Sequence, residues 1–198
     1  MGKWIDDIYY VERHELPSSV LEKIDDFAKK VTNETYDRFS YSYEHRVETI
    51  RIGKLAEEVF AKFMLDEYNV NLEINYDIYE GIENVDEDDF FVNGYKIDIK
   101  SSKDTKQEGF TNCFSYFNFP VPWDQEIKDI TISIIYSFDL TKFWICRAIS
   151  KRKYIQNQHY GKLPVGGGVY KAFHLCKLSL GISPKVMIEY ILENPKKI

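Results

Sequence analysis

The chain has 198 residues, 44% of them hydrophobic, and a formal net charge of −6. No apolar run approaches the ~20 residues of a membrane span and the N-terminus lacks a signal-peptide pattern, so neither a membrane protein nor a secreted one is expected. Three widely separated cysteines argue against a disulfide framework and against a zinc or iron–sulfur site, and they favour a reducing cytoplasm. We expect one globular domain over residues 1–198.

The charges are distributed unevenly along the chain. Residues 1–139 hold 30 acidic and 15 basic side chains, whereas residues 140–188 hold nine basic side chains and no acidic one. A basic block of this kind indicates a positive face for a polyanion. A solvated face with counter-charges from the acidic part explains it equally well, and the sequence leaves both interpretations open.

Two helices are predicted before the first strand. Apolar residues recur at helical spacing in 18–35 and again in 47–68, and a polar, aromatic connector, residues 36–46, separates them. Residues 1–46 are therefore assigned to an N-terminal helical extension and residues 47–150 to a core. The alternating pattern of residues 70–80 predicts a strand.

The second helix carries an acidic residue beside its apolar stripe. In the segment RIGKLAEEVFAKF, Glu57 lies on the border of that stripe, whereas Lys54 and Glu58 are predicted to face solvent. A carboxylate at this border can reach a metal ion held by the sheet that follows. The alternative is an ordinary surface glutamate paired with Lys54 or Lys62.

Residues 88–102, DDFFVNGYKIDIKSS, contain the strongest local signal. Asn93-Gly94 between two β-rich runs predicts a two-residue hairpin, because both turn positions require positive φ. The register set by this turn places Asp89 opposite Asp98. Side chains alternate along a strand, so Asp89, Asp98 and Lys100 share one face. The other face is apolar and is formed by Phe90, Val92, Tyr95, Ile97 and Ile99.

Two carboxylates that face each other repel, and this cost requires an offsetting charge. Mg²⁺ can supply it, because this ion takes oxygen ligands from one or two carboxylates together with water and phosphate. Lys100 lies two residues beyond Asp98, where it can hold or activate a water or neutralise charge on a phosphate. The alternative is a solvent-facing ion-pair cluster with no ligand.

The remainder of the chain predicts a further aromatic segment and three strands. Residues 109–123 hold six aromatic side chains that either stack on bases or extend the core. Strands are predicted at 129–137, 142–149 and 169–178, a mobile basic loop at 150–168, and a short closing helix at 184–194. The order of elements predicts an α/β or α+β fold with a central mixed sheet flanked by helices.

In their order along the chain, these markers resemble the PD-(D/E)XK nuclease superfamily, which includes type II restriction endonucleases, phage exonucleases and Holliday-junction resolvases. The resemblance covers about residues 47–150. It depends on GKLAE at 53–57, on Asp89, and on Asp98-Ile99-Lys100 followed by Ser101-Ser102. Departures from the family pattern are the missing proline before Asp89 and the lack of an evident helix in residues 103–128.

The resemblance implies a restriction endonuclease-like αβββαβ core and hydrolysis of phosphodiester bonds. Asp89, Asp98 and the carbonyl of Ile99 would bind Mg²⁺, for which Mn²⁺ can substitute, Lys100 would position or deprotonate the attacking water, and Glu57 would orient a second metal or a water. Asp86 and Asp88 compete with Asp89 for the first position, and a one-residue bulge would favour Asp88.

The resemblance implies a double-stranded DNA substrate, a bacterial or phage-infected cell as the setting, and a homodimer as the assembly. The residues assigned to nucleic-acid contacts are Ser101, Ser102, Lys142, Arg147, Lys151, Arg152 and Lys153. The alternatives are an exonuclease, a resolvase or an RNA nuclease of the same fold, and a catalytically silent relative that binds nucleic acid or protein.

Overall fold

The strand Ile130–Tyr136 lies inside a mixed sheet and is buried along its whole length. The computed structural model describes residues 2–34, 42–78, 89–104, 117–166 and 169–196. Its strands are β1 (Lys3–Ile5), β2 (Ile8–Glu12), β3 (Phe90–Val92), β4 (Tyr95–Lys103), β5 (Asn118–Pro122), β6 (Ile130–Tyr136), β7 (Lys142–Ser150), β8 (His159–Gly166) and β9 (Val169–Lys177). Its α-helices are α1 (Ser18–Glu34), α2 (Tyr43–Tyr68), α3 (Lys151–Asn157) and α4 (Pro184–Glu193).

The fold is mixed α/β, with a central mixed sheet flanked by four helices. Six strands form the large sheet in the order β1-β2-β7-β6-β4-β3, and three form a small sheet in the order β5-β9-β8. The β4–β6 pairing is parallel, and the other pairings in the large sheet are antiparallel. A parallel pairing needs a long crossover, and residues 104–129 provide it.

The large sheet buries its two faces against different partners. Ile130, Ile132 and Ile134 of β6 pack in one cluster with residues of α1, α2 and α4. On the opposite face, Ile135 packs in a second cluster with Phe119 of β5 and residues of α3 and β9. The long helices therefore cover one face, and the small sheet with α3 covers the other.

The N-terminal segment is part of the sheet, which the sequence analysis did not predict. The antiparallel hairpin β1–β2 joins the large sheet through β7. Its aromatic residues dock on the end of α2, where the Tyr9 hydroxyl donates to Asp66 Oδ2 at 3.0 Å and Trp4 Nε1 donates to Glu67 Oε2 at 2.7 Å. Residues 1–46 thus contain, besides α1, two strands of the central sheet.

Several predicted elements are confirmed, and two are wrong. The helices at 18–35, 47–68 and 184–194 and the strands at 129–137, 142–149 and 169–178 are present within a few residues of the predicted bounds. Residues 69–78 form no strand, and residues 79 and 80 lie outside the described part of the chain. Val70, Leu72, Ile74 and Tyr76 do pack on the core from one side. The alternating pattern therefore identified the side chains that pack on the core. It does not show whether another strand pairs with the backbone of this segment.

The segment 150–168, predicted as a mobile loop, contains α3 and all of β8 instead. The helix α3 buries a single aromatic side chain, Tyr154, and β8 pairs with β9 along its length. The sequence of this segment has too few apolar residues to show a helical or strand period. The structure of β8 depends instead on its pairing with β9. None of the helices in the described ranges is both long and apolar enough to cross a membrane.

Tyr154→Phe tests how α3 holds the small sheet in place. The buried Tyr154 hydroxyl lies 2.6 Å from the carbonyl oxygen of Phe119 and 2.8 Å from that of His174. Removing it leaves buried acceptors without this donor, so we expect a loss of about 1–3 kcal/mol in the free energy of unfolding, measured by urea denaturation. Tyr10→Phe, at a part-buried hydroxyl that donates to Glu12, is the matched control. Equal losses of stability in the two variants would contradict the conclusion that the Tyr154 hydroxyl holds the small sheet in place.

Candidate active site

The predicted hairpin turn is present and carries the candidate site on β4. Asn93 and Gly94 adopt φ values of 48° and 86°, and β3 pairs with β4 in the predicted register from Val92↔Tyr95 to Phe90↔Ile97. The Asn93 side chain donates to two carbonyl oxygens at the end of α4, each at 3.2 Å. The turn is therefore clamped by the C-terminal helix, which limits movement of the hairpin.

Asp98 and Lys100 form an ion pair on the face of β4 that meets the small sheet. Lys100 Nζ lies 2.8 Å from Asp98 Oδ1 and 3.3 Å from Gln125 Oε1. Asp98 is only 9% exposed, so the alternative of a solvent-facing cluster is wrong. Desolvating two charges is costly, and a buried pair of this kind is a poor way to gain stability. Buried charged groups beside perturbed carboxyls are typical of functional sites.

Asp89 lies at the edge of β4, where the pairing with β3 has ended. It does not face Asp98 across a ladder, as the register predicted, because β3 begins at Phe90. Instead its Oδ2 accepts a hydrogen bond of 2.6 Å from the Ile99 N–H. The N–H and C=O of a strand residue point to the same side, so the Ile99 carbonyl is on this edge as well.

Burial raises the pKa of Asp89 to about 6, and the negative charge of Asp98 adds to the increase. The hydrogen bond from Ile99 and the positive charges of Lys100 and Lys54 act in the opposite direction. The Asp89 carboxyl is therefore mostly ionised at neutral pH, but it keeps its proton to a higher pH than an ordinary aspartate does.

Glu57 lies on the inner side of α2, as predicted, but it has a close cationic partner. Lys54 Nζ lies 2.7 Å from Glu57 Oε2, and the two residues are 5% and 8% exposed. The prediction that Lys54 faces solvent is therefore wrong, and Glu58 is also engaged, since it accepts a hydrogen bond of 2.7 Å from the Tyr76 hydroxyl. The positive charge of Lys54 lowers the pKa of Asp89.

Two hydroxyl residues beside the ion pair were missed by the sequence analysis. Thr131 and Ser133 are each 1% exposed and are the β6 partners of Asp98 and Lys100. Their hydroxyl oxygens, like Asp98 Oδ2, are buried and have no hydrogen-bond partner among the described residues. The available signal was the pair of polar residues Thr131 and Ser133 in the otherwise apolar run ITISII, at positions that alternate like Asp98 and Lys100.

The predicted nucleic-acid contacts do not form one continuous face. Arg147 pairs with Ser133 next to a bulge in β7, close to Lys100, and Lys151 forms an ion pair of 2.6 Å with Glu126. Lys142 begins β7, so it lies roughly 30 Å from Lys151 at the other end of this nine-residue strand. Lys142 is therefore separated from the basic residues of α3, and its assignment to nucleic-acid contacts stays a prediction. Ser101 and Ser102 are half-buried in β4, and Arg152 and Lys153 are exposed on α3.

The donor atoms fit a hard divalent cation. Asp98 Oδ2 is a buried anionic oxygen without a hydrogen bond in the described ranges, and the Asp89 carboxylate and the Ile99 carbonyl lie at the adjoining strand edge. Within the part of the chain that the structure describes, no three Asp, Glu, His or Cys side chains converge as a metal-binding group. Asp86 and Asp88, the alternatives to Asp89, lie outside the described residues.

No family model, curated protein or solved structure matches this chain. The chemistry of the candidate site is therefore argued from its own residues.

The Lys54–Glu57 pair is expected to behave as a buried ion pair. Lys54→Met leaves the Glu57 carboxylate buried without its 2.7 Å partner, so we expect a loss of about 3–5 kcal/mol in the free energy of unfolding. The double variant Lys54→Met/Glu57→Met should recover most of that loss, because both charges are then removed. Urea unfolding of the four members of this cycle measures the coupling. Additive effects would show that the pair carries no interaction energy.

The raised pKa of Asp89 predicts a specific pH dependence of stability. The unfolded chain releases this proton near the ordinary value of 3.8 and the folded chain near 6, so the folded state binds the extra proton between them. The contribution of Asp89 is present below about pH 4 and is lost as the pH rises through 6, by roughly 2–3 kcal/mol. Asp89→Asn has no titrating carboxyl at this position but keeps an acceptor for the Ile99 N–H. This variant should therefore lose less stability than the wild type over this pH interval.

Urea unfolding of both proteins in EDTA across this pH range measures the difference. Asp26→Asn, on the exposed side of α1, is the matched control and should follow the wild type. Parallel curves for wild type and Asp89→Asn would contradict the assigned burial of the Asp89 charge.

Proposed function

We propose that this protein is a metal-dependent nuclease that hydrolyses phosphodiester bonds of DNA, built on a restriction endonuclease-like core. The observation that carries the proposal is the buried Asp98–Lys100 pair on β4, with the raised-pKa carboxyl of Asp89 at the adjoining strand edge. A buried acid–acid–lysine group of this kind costs stability and is suited to bind a cation and a phosphate together. The hairpin register and the parallel β4–β6 pairing support the same assignment.

Each residue of the site has a role that follows from its surroundings. Asp98 and Asp89, with the Ile99 carbonyl, would hold Mg²⁺ or Mn²⁺, which supplies Lewis-acid activation of a water and of the phosphate. The Lys100 ammonium, held by Asp98 and Gln125, donates hydrogen bonds to the attacking water or to a phosphate oxygen and neutralises charge there. Glu57, which pairs with Lys54 on the helix side, would orient a second metal ion or a water.

The expected product has a 5′-phosphate, as in most of the resembled superfamily. A single such site cuts one strand, so an endonuclease for double-stranded DNA would act as a homodimer. An exonuclease, a resolvase and an RNA nuclease use the same chemistry, and the substrate panel described below separates them.

A catalytically silent nucleic-acid-binding protein is the second candidate. The observation that favours it is the engagement of Glu57 with Lys54, which leaves two carboxylates rather than three for a metal ion among the described residues. This candidate predicts nucleic-acid binding without cleavage and no effect of Mg²⁺ on the melting temperature.

The deciding experiment compares cleavage of supercoiled plasmid, linear duplex and single-stranded DNA in Mg²⁺, Mn²⁺ and EDTA. We expect metal-dependent cleavage by the wild type and a loss of at least about 100-fold in Lys100→Ala and Asp98→Asn, since both remove charge from the site. Lys30→Ala, at an exposed lysine of α1, is the matched control and should retain activity.

The folding of each variant is checked by its melting temperature, with and without Mg²⁺. The wild type should be stabilised by the metal, and Asp98→Asn should lose that stabilisation. Cleavage that persists in both site variants would mean that the site is misassigned. Absence of cleavage together with no thermal effect of the metal would favour the silent binding protein.

A further inference from the structure

Three aromatic rings form an exposed cluster on the small sheet. Trp123, which follows β5, stacks on His174 of β9 with ring centroids 4.4 Å apart and an interplanar angle of 23°. Tyr160 of β8 meets the edge of Trp123 at 5.4 Å. Trp123 and Tyr160 are each 56% exposed. Large aromatic side chains that remain this exposed, in contact with one another, mark an interaction surface rather than a core.

The cluster is held rigidly by the backbone of the small sheet. The Trp123 N–H donates to the carbonyl oxygen of Ala172 at 3.1 Å, and His174 pairs with Val121 on one side and with Tyr160 on the other. Directly paired residues project to the same side of a sheet, so Tyr160 and His174 lie on the side of Val121. Val121 packs between the small and the large sheet, which is the side that carries Lys100.

A tight turn links this aromatic cluster to the proposed active site. The Gln125 N–H donates to the carbonyl oxygen of Pro122 at 2.9 Å, which folds the chain sharply at Trp123. The side chain of Gln125 then contacts Lys100 Nζ at 3.3 Å. Trp123 and Gln125, the residue that contacts Lys100, therefore belong to the same turn.

The charge around the aromatic cluster favours an anionic partner. The elements α3, β8 and β9 contain no acidic residue, and they expose basic side chains at Arg152, Lys153, Lys162 and Lys177. Asp124 and Glu126, in the neighbouring turn, pair with Lys171 at 3.6 Å and with Lys151 at 2.6 Å. A polyanion with flat apolar groups matches this surface, and single-stranded nucleic acid has both features.

We propose that Trp123, His174 and Tyr160 form a stacking platform for unpaired nucleobases of single-stranded nucleic acid, beside Lys100. The platform binds bases by stacking, while the basic residues of α3 and β8 contact the phosphates. The inference rests on the proposed function for its nucleic-acid partner, and it narrows the substrate to one with unpaired nucleotides next to the cleaved bond.

The test measures binding in EDTA, where a metal-dependent nuclease does not cleave. Fluorescence anisotropy with a labelled oligo-dT strand and with a duplex of the same length gives the two affinities. We expect the single strand to bind more tightly, and Trp123→Ala and Tyr160→Ala each to weaken it by about tenfold or more. Trp123→Phe keeps a flat ring and should retain most of the affinity.

Phe138→Ala is the matched control, because Phe138 is 62% exposed at the turn between β6 and β7, away from the small sheet. It should bind oligo-dT like the wild type, and the melting temperatures of all variants should stay close to that of the wild type. Arg152→Ala/Lys153→Ala should reduce the dependence of the affinity on salt, since each phosphate contact contributes to that slope.

Unchanged oligo-dT affinity in Trp123→Ala and Tyr160→Ala would overturn the platform, as would a preference for the duplex that these variants leave unaltered. The cleavage assay on wild type and Lys100→Ala separates this result from the failure of the nuclease proposal. A wild type that cleaves no substrate but binds oligo-dT through the platform supports the platform and removes the nuclease. A wild type whose cleavage is lost in Lys100→Ala, but whose binding does not depend on Trp123 and Tyr160, supports the nuclease and removes the platform.

Discussion

The parallel pairing of β4 with β6 is the contact on which the rest of the structure depends. β6 is buried on both faces, and β4 joins it over seven consecutive residue pairs. Alternation along β4 then sends Ile97 and Ile99 toward the helices and sends Asp98 and Lys100 toward the small sheet. The register of this one pairing thus decides which side of the sheet is apolar and which side carries charge. A shift of the register by one residue would bury the Asp98–Lys100 ion pair under α2.

The charges that this pairing brings inside balance one another locally. Lys100 pairs with Asp98, and Lys54 pairs with Glu57. Burial and the negative charge of Asp98 raise the pKa of Asp89 to about 6. A cation bound beside Asp89 would offset the repulsion from Asp98, which is the physical reason for proposing a metal ion at this position.

The two faces of the large sheet also differ in chemical character. The helix side is a hydrophobic core that also fixes the hairpin, because Phe60 of α2 packs on Phe90 and the end of α4 clamps the turn. The other side is covered by a small sheet with a basic surface and an exposed aromatic cluster. Substrate recognition and the charged site would thus share the space between the sheets, while stability comes mainly from the opposite face.

The sequence by itself determined the local features of this protein. Asn93-Gly94 specified the turn, strict alternation specified which side of the hairpin is apolar, and helical or continuous apolar runs specified α1, α2, β6 and β7, because these signals depend on near neighbours in the chain. Only the tertiary structure decided that residues 69–78 have no strand partner, that the basic segment folds into α3 and β8, and that Lys54 is buried. Backbone pairing and ion pairing between distant residues have no local signature, so their outcome depends on which surfaces meet in the folded chain.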